Sequence, residues 1–516
     1  MFEPSTDDVL TLSQTYNYIP IRYKVWSDNL TPIRLFQQVK SAYSFLLESV
    51  EGGEKWARYS FIGHDPYLLF TVREKQAYLQ RFDDGHPQQE IKVEGDPLTI
   101  LKDQLDQYHI PPDLDLPRFS GGAVGYIGYD AITLYEDIPT HRVNDLNQDQ
   151  LRLMFCNEII AFDHLKQEIT FMTYLQVDPQ ASEKGLLDEY EQKKRHLQQR
   201  VTDLFYKMNH ALEPPLHLPE KKPDADWRKV KSNVDKQTFE DAVNKVKAYI
   251  RAGDVFQTVL SQRFEVELQT DPFNIYRVLR IINPSPYLYY LDLGQGDQLI
   301  GSSPERLVQI ERDRVETNPI AGTRKRGRDR EQDDRLAHEL LTDEKERAEH
   351  HMLLDLGRND IGRIAEFGTV EVSKMMEIER FSHVMHIVST VTGKKRQDFH
   401  AVDGLFSCFP AGTVTGAPKI RAMSVIAELE KEARNAYAGA IGYFSFTGHL
   451  DSCITIRTIV VSKGKAYVQA GAGVVADSVP ELEWKETRNK ARALLIAIQM
   501  AEDLFEHNQR EVTTHA

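Results

Sequence analysis

Phe264-Glu265-Val266-Glu267-Leu268-Gln269 is the stretch whose pattern decides how the second half of the chain is built. Apolar and polar side chains alternate residue by residue, the period of a strand with two unlike faces. Just before it the period changes. Phe239, Val243, Val246 and Ile250 recur at helical spacing, Asp235 stands where an N-cap belongs, and Gly253 can end the helix. Further along, strands and helices go on mixing, but not as the regular strand–helix–strand units that a parallel sheet requires. The expectation is an α+β fold with large antiparallel sheets.

The first half is richer in strands. Tyr67 to Val72, Glu158 to Phe162 and Gln167 to Tyr174 are short apolar runs between turn signals. From Ala181 to about Ala211, Leu186, Leu187, Tyr190, Leu197, Val201 and Phe205 mark one long helix. The run from Glu213 to Pro223 carries Pro214, Pro215, Pro219 and Pro223, which a helix cannot accommodate. It divides the chain into residues 1–225 and 226–516. Gly122-Ala123-Val124-Gly125-Tyr126 resembles Gly439-Ala440-Ile441-Gly442-Tyr443, a match too short to establish duplication.

The 516 residues, 41% hydrophobic and 9% aromatic, suit a soluble globular protein with one very large core or two to three ordinary ones. A net charge of −15 argues against nucleic acid or an anionic membrane as partner. The one basic cluster, Arg324, Lys325, Arg326, Arg328 and Arg330, is broken by Gly327 and Asp329. Cys156, Cys408 and Cys453 have neither disulfide nor zinc spacing, which fits a reducing, cytoplasmic setting. No apolar run approaches the roughly 18 to 20 residues of a membrane span, and Met1 to Leu12 lacks the features of a signal peptide.

Two Glu-x-x-Glu pairs, Glu346/Glu349 and Glu483/Glu486, lie in helical segments, where a spacing of three puts both carboxylates on one face. Four converging acids would repel one another, and a hard cation such as Mg²⁺ would relieve that repulsion. A solvated helix face explains either pair taken alone. Gly412 to Lys419 and Ala470 to Gly473 read as small-residue loops before helices. The first has the wrong glycine spacing for a nucleotide P-loop, but backbone amides at a helix start can hold a carboxylate. The second precedes a helix opened by Ser478, with Glu481 completing a capping box. Pro319 to Gly327 is a third loop, and Asp355 to Asp360 forms a polar corner at the end of the Glu346/Glu349 helix. His386 sits in an apolar run, as a satisfied core histidine or a desolvated general acid. Arg457 interrupts the β-branched run Ile454 to Val460 and, if inward, needs an anionic partner.

The ordered set is more telling than any member: Pro319 to Arg324, the Glu346/Glu349 helix ending in Leu356 to Asp360, Val384-Met385-His386, Gly412 to Lys419, Ile454 to Thr458, Ala470 to Gly473 and Glu486 to Lys490. It resembles the chorismate-utilising enzymes, most closely their anthranilate synthase component I branch. Leu46 to Ser49 and Gly121 to Asp130 resemble the family's amino-terminal region, so the likeness covers nearly the whole chain.

The resemblance implies a two-domain sandwich of large antiparallel β-sheets flanked by helices. Residues 1–225 would form the amino-terminal region with a regulatory tryptophan site, and 226–516 the chorismate-binding catalytic region. Glu349 and Glu486 would ligate Mg²⁺, with Glu346 and Glu483 in support, and the metal would bind the ring carboxylate of chorismate. Tyr437 and Arg457 would bind the enolpyruvyl carboxylate, with Gly322, Thr323, Thr413, Gly471, Ala472, Gly473 and Lys490 completing the pocket. His386 would protonate the departing ring hydroxyl.

Two positions speak to the nucleophile. Family members that add water carry a lysine where this chain has Gln257, and aminodeoxychorismate synthases carry a nucleophilic lysine where it has Ala321. What the resemblance then implies is a carbon–oxygen lyase that converts chorismate and ammonia to anthranilate and pyruvate through 2-amino-2-deoxyisochorismate, the first committed step of tryptophan biosynthesis. The alternative is an aminodeoxychorismate synthase component I. No cysteine here lies in a glutaminase-like turn, so ammonia would come from solution or a glutamine amidotransferase subunit, in a heterotetramer with two copies of each chain. Leu47, Glu48 and Ser49, with Asn283, Pro286, Tyr287 and Leu288, resemble the site at which L-tryptophan inhibits such enzymes.

Overall fold

A computed structural model of the chain describes residues 2–26, 30–49, 58–83, 85–112, 114–210, 223–381 and 384–514, with side chains through 505. Two 13-stranded sheets dominate it, and all their strand pairs are antiparallel. Phe45 and Phe61 from the first sheet meet Val124, Tyr126, Met154, Ile441 and Tyr443 from the second in one buried cluster. This is the core of a sandwich, in which each strand's inward residues face the opposite sheet. Helices Pro32–Val39, Glu183–His210 and Pro272–Ile282 cover the outer face of the first sheet with the long carboxy-terminal helix Pro480–Thr514. Helices Pro97–Asp106, Glu344–Gly362 and Ala401–Cys408 pack against the second. The α+β sandwich anticipated from sequence is the fold observed.

The border at residues 225/226 divides the sequence but does not part the sheets. Ser44–Glu48 pairs with Tyr287–Asp292 in the first sheet, and Gly122–Ile127 with Ala440–Ser445 in the second. The two look-alike segments lie side by side, with Gly125 opposite Gly442, and each uses a glycine against the other: a Cβ on Gly122 would meet the Phe444 carbonyl oxygen, and one on Gly439 that of Ile127. Most of the proline-rich run, Glu213 to Lys222, lies outside the described residues.

Several local readings hold. Asp235 caps helix Lys236–Arg251, its carboxylate accepting from the Thr238 amide at 2.9 Å. The alternating stretch, through Glu267, is the end of a longer strand, Gln257–Glu267, and Leu268 and Gln269 lie beyond it. Others are corrected. Pro319 to Gly327 is mostly strand Ile320–Lys325, and Ala470 to Gly473 lies inside strand Lys465–Val474. Pairing with Val384–Lys394 and with Gln257–Glu267 outweighs the weak strand preference of small residues. The run Ile454 to Val460 is not one strand; it breaks between Leu450–Ile454 and Thr458–Ser462, with Arg457 at φ 51°. Ser478 does not open a capping box, because its hydroxyl accepts from the Val475 amide and the helix starts at Pro480.

Candidate active site

Sheet pairing assembles the site from segments distant in sequence. Strand Ile320–Lys325 lies beside Val384–Lys394 with Thr323 opposite His386. Strand Lys465–Val474 lies beside Gln257–Glu267, with Gly473 opposite Val259 and Gly471 opposite Ser261. Helices Glu344–Gly362 and Pro480–Thr514 bring in the glutamates. Together they enclose a cavity of about 800 Å³, within the range of small-molecule sites.

Its walls include all four glutamates, His386, Thr413, Gln257, Gly322, Thr323, Tyr437, Arg457, Gly471, Gly473 and Lys490. Ala472 is the exception among the residues expected here. It is fully buried, and strand alternation turns its side chain to the face opposite Gly471 and Gly473. Two glycines are needed for shape. Gly322 has φ 68° at the irregular step between Ala321 and Thr323, and a Cβ there would approach Glu346 Oε2 to 3.0 Å. A Cβ on Gly471 would lie 2.7 Å from the Tyr437 hydroxyl.

The acids do not form a bare cluster. Glu346 pairs with Arg324 at 3.0 Å, Glu486 with Lys490 at 2.6 Å, and Glu349 Oε1 accepts from Gln257 Nε2 at 3.0 Å. Among the described residues no three His, Cys, Asp or Glu side chains gather as a metal site. The repulsion that the sequence suggested is therefore partly relieved by Arg324 and Lys490. Two oxygen ligands facing a substrate cavity still fit Mg²⁺, which usually keeps several waters and takes one or two carboxylates together with substrate oxygens. Glu483 has its carboxyl pushed up by burial and then by the neighbouring charge of Glu486, while Ser478 opposes the shift.

Arg457 makes no ion pair or side-chain hydrogen bond with any described residue, although it lines this partly buried cavity. Its charged form is disfavoured by burial, which Tyr437, Glu486 and Glu305 offset. Such a guanidinium is a ready receptor for a carboxylate. Burial also raises the Tyr437 phenol to about 12, keeping it a neutral donor.

His386 Nδ1 lies 2.9 Å from the Gly322 carbonyl oxygen and 3.1 Å from Thr323 Oγ1. A carbonyl can only accept, so Nδ1 carries the proton and Nε2 holds the lone pair. Burial lowers the imidazole's pKa despite the Gly322 bond, so the ring is neutral at pH 7. The sequence expectation, that His386 protonates the departing hydroxyl, would call on the charged form that burial disfavours here.

A residue that sequence reasoning missed suits that role. Glu305 lines the same cavity, and burial pushes its carboxyl up to about 8, against the opposing effects of Thr413, Lys490 and Arg457. It is therefore a neutral acid at pH 7. The available signal was Ser302-Ser303-Pro304-Glu305-Arg306, an acid just beyond a buried strand end. Thr413 Oγ1 is itself buried with no well-formed hydrogen bond.

A separate cavity of about 240 Å³ collects Leu47, Glu48, Ser49, Pro286, Tyr287 and Leu288. Asn283, grouped with them from sequence, lines the larger cavity instead and donates to Ser302 Oγ at 3.1 Å. Glu48 is already engaged, accepting from the Tyr276 hydroxyl at 2.6 Å and Arg280 Nε at 3.0 Å. Ser49 Oγ is buried without a partner.

Asp355 to Asp360 is not a corner but lies within helix Glu344–Gly362, with Asp355, Arg358 and Asn359 exposed and Asp360 buried, and members of the basic cluster are taken up in ion pairs. Asp360 pairs with Lys419 at 2.9 Å, which ties the Glu346/Glu349 helix to the segment after Gly412, so Lys419 is not free to hold a ligand. Arg324 pairs with Asp343 as well as Glu346, and Arg326 with Asp333. Cys156, Cys408 and Cys453 are buried free thiols. No helix among the described residues is long and apolar enough to cross a membrane.

A sandwich of antiparallel sheets with an acid-lined cavity beside an unpaired arginine has the form of a small-molecule-binding protein, and comparison with known proteins names the class. Residues 42–496 match the family described as chorismate binding enzyme, and the chain belongs to that family. Within it, the chain is 50% identical over 505 residues to anthranilate synthase component 1 of Acetivibrio thermocellus, covering 98% of this chain and 100% of the relative. It is 47% identical to the protein of the same name from Aquifex aeolicus, covering 97% of this chain and 98% of the relative. The crystal structure of anthranilate synthase component I from Streptococcus pneumoniae is 38% identical, with a TM-score of 0.73 over 91% of this chain and 99% of that one. The menaquinone-specific isochorismate synthase of Escherichia coli, 19% identical with a TM-score of 0.68 over 96% and 98% of the two chains, shares the fold.

Proposed function

We propose that the chain is the synthase component of an anthranilate synthase, converting chorismate and ammonia to anthranilate and pyruvate. The observation that carries this reading is the unpaired Arg457, set in one cavity with Tyr437, four glutamates, Ala321 and Gln257. A dicarboxylate gains a charge partner at Arg457, and neither Ala321 nor Gln257 offers the amine that a covalent or water-activating mechanism would use. Full-length similarity to proteins named anthranilate synthase component 1 supports the same choice.

Arg457 and the Tyr437 hydroxyl hold the enolpyruvyl carboxylate, while Lys490 adds positive charge from the other wall. Mg²⁺ is assigned to Glu349 and Glu486, with Glu346 and Glu483 in support, and when bound supplies charge neutralisation for the ring carboxylate. Ammonia forms the new C–N bond as the ring C–OH bond breaks. Protonated Glu305, rather than His386, gives its proton to the departing hydroxyl, which leaves as water. The amino intermediate is 2-amino-2-deoxyisochorismate. It then loses a ring proton toward His386 Nε2, the enolpyruvyl C–O bond breaks, and pyruvate departs with a proton returned to its carbon. The ring is left aromatic.

Ammonia is supplied by a separate glutamine amidotransferase subunit, and we assign two copies of each chain to the assembly, in the cytoplasm. The smaller cavity at Leu47 to Ser49 and Pro286 to Leu288 is the proposed tryptophan site. Purified chain given chorismate, Mg²⁺ and an ammonium salt at mildly alkaline pH should form a fluorescent product that chromatography identifies as anthranilate. 4-Aminobenzoate in its place would favour the aminodeoxychorismate reading, and salicylate or isochorismate would mean that water is the nucleophile.

A further inference from the structure

A third cavity, of about 390 Å³, shares no lining residue with either cavity above. It lies where strands Tyr18–Trp26, Glu168–Gln176 and Gln76–Asp83 meet helices Pro97–Asp106 and Glu183–His210. Its volume is that of a metabolite site.

The chemistry of its wall is one-sided. Arg81 and Lys193 line it, and no aspartate or glutamate does. Neither cation has an ion-pair or hydrogen-bond partner among the described residues, whereas cations close to them in sequence do. Lys194 pairs with Glu191 at 2.8 Å, and Arg73 with both Glu90 and Asp149 at 2.5 Å. Two unpaired cations on an acid-free wall are notable in a chain of net charge −15. Several neutral donors on the wall are also open. Asn157 spends its carbonyl oxygen on the Tyr18 hydroxyl at 2.5 Å, which leaves its amide hydrogens unused. The exposed side-chain amides of Gln107 and Gln176 make no bond with any described residue, and the Tyr67 hydroxyl is buried with no well-formed hydrogen bond.

We propose that this cavity is a second ligand site, built for a small dianion rich in carboxylate or phosphate oxygens. Arg81 presents a planar fork that matches either group, and Lys193 supplies a point charge for the second negative centre. The open amides and the Tyr67 hydroxyl donate to the remaining oxygens.

Calorimetric titration with succinate and, separately, inorganic phosphate tests the site. At least one of the two should bind saturably at or below millimolar concentration, more weakly as salt rises. Succinate alone would mark a dicarboxylate site, and phosphate alone a phosphoryl site. The Arg81→Gln/Lys193→Gln double variant should weaken binding at least about tenfold, and Tyr67→Phe should weaken it less. Both sets of changes lie outside the catalytic cavity, so the far-ultraviolet spectrum and the melting temperature without ligand should match the parent. No saturable binding of either anion, or equal affinity in the double variant, would overturn the proposal.

Discussion

Gln257 donates from Nε2 to Glu349 Oε1 across 3.0 Å, which joins the strand that opens at Gln257 to the glutamate helix. A Cβ on Gly473 would lie 2.7 Å from the same Nε2, so the amide is confined between the helix and the facing strand. The bond aims one carboxylate oxygen and leaves the other free for an ion. Glu349→Gln keeps the shape but loses the charge, and turnover should fall below detection while the melting temperature stays close to the parent's. Gln257→Leu should leave the acid in place but unaimed, raising the Mg²⁺ concentration needed for half-maximal rate about 10- to 100-fold, as loss of an orienting partner typically does. Undiminished turnover of Glu349→Gln would remove the metal role.

On the proposed mechanism the Glu305 carboxyl, held up to about 8 by burial, sets an alkaline limit. That mechanism requires Glu305 protonated and His386 neutral. The rate corrected for free ammonia should therefore be level near pH 7 and fall as pH rises through about 8. The acid-side fall should come below 6.5, because burial lowers the histidine. Glu305→Gln should cost about 10²- to 10⁴-fold in kcat and abolish the alkaline fall of the residual rate. The same residue links pH to stability. Between 4.5 and about 8 the native state holds a proton that the unfolded chain has lost, so stability falls as pH rises through that window. The Gln variant should lack this slope in urea titrations.

Ser49 Oγ is a buried polar atom with no partner, on the wall of the 240 Å³ cavity. If tryptophan fills that space, Ser49→Phe should occupy it first. The expected outcome is a variant with near-parental rate whose inhibition by tryptophan is lost. A parent enzyme insensitive to tryptophan would end the regulatory assignment, and so would a variant inhibited as strongly as the parent.

The parts legible from sequence were those in which one short segment carries both the residue and its geometry. Glu346 and Glu349 share a helix and face one cavity, as their spacing of three requires. Gly471 and Gly473 line the cavity as expected, but from a strand and not from a loop. Their small side chains suggest a loop, and only pairing with Ser261 and Val259 makes them strand. Arg457 showed its need for an anion, yet not that the chain would break its strand to turn there at φ 51°. Glu305 was invisible because what matters about it, burial in a cavity shared with Arg457 and Lys490, is a tertiary property with no local pattern. That Ala472 turns away from the cavity lined by Gly471 and Gly473 follows from alternation, once the segment is known to be a strand.

Lys419 and Asp360 pair at 2.9 Å with side chains only 10% and 7% exposed. Burial pushes the Asp360 carboxyl up and Lys419 pulls it back, so each charge depends on the other. Asp360 Oδ1 has no further partner, while Lys419 also donates to the Cys408 carbonyl at 3.3 Å. Removing one member of such a pair leaves an uncompensated buried charge, at a cost of about 3–5 kcal/mol. Lys419→Met should therefore lower the urea midpoint by that equivalent. Asp360→Asn/Lys419→Met should recover part of the loss, because the exposed penalty is the lone charge and not the absence of the pair. If Lys419 instead bound substrate, the single variant would keep its stability and raise KM for chorismate. A large fall in stability, partly restored by the second change, would identify the contact as the brace between the glutamate helix and the wall that carries Thr413.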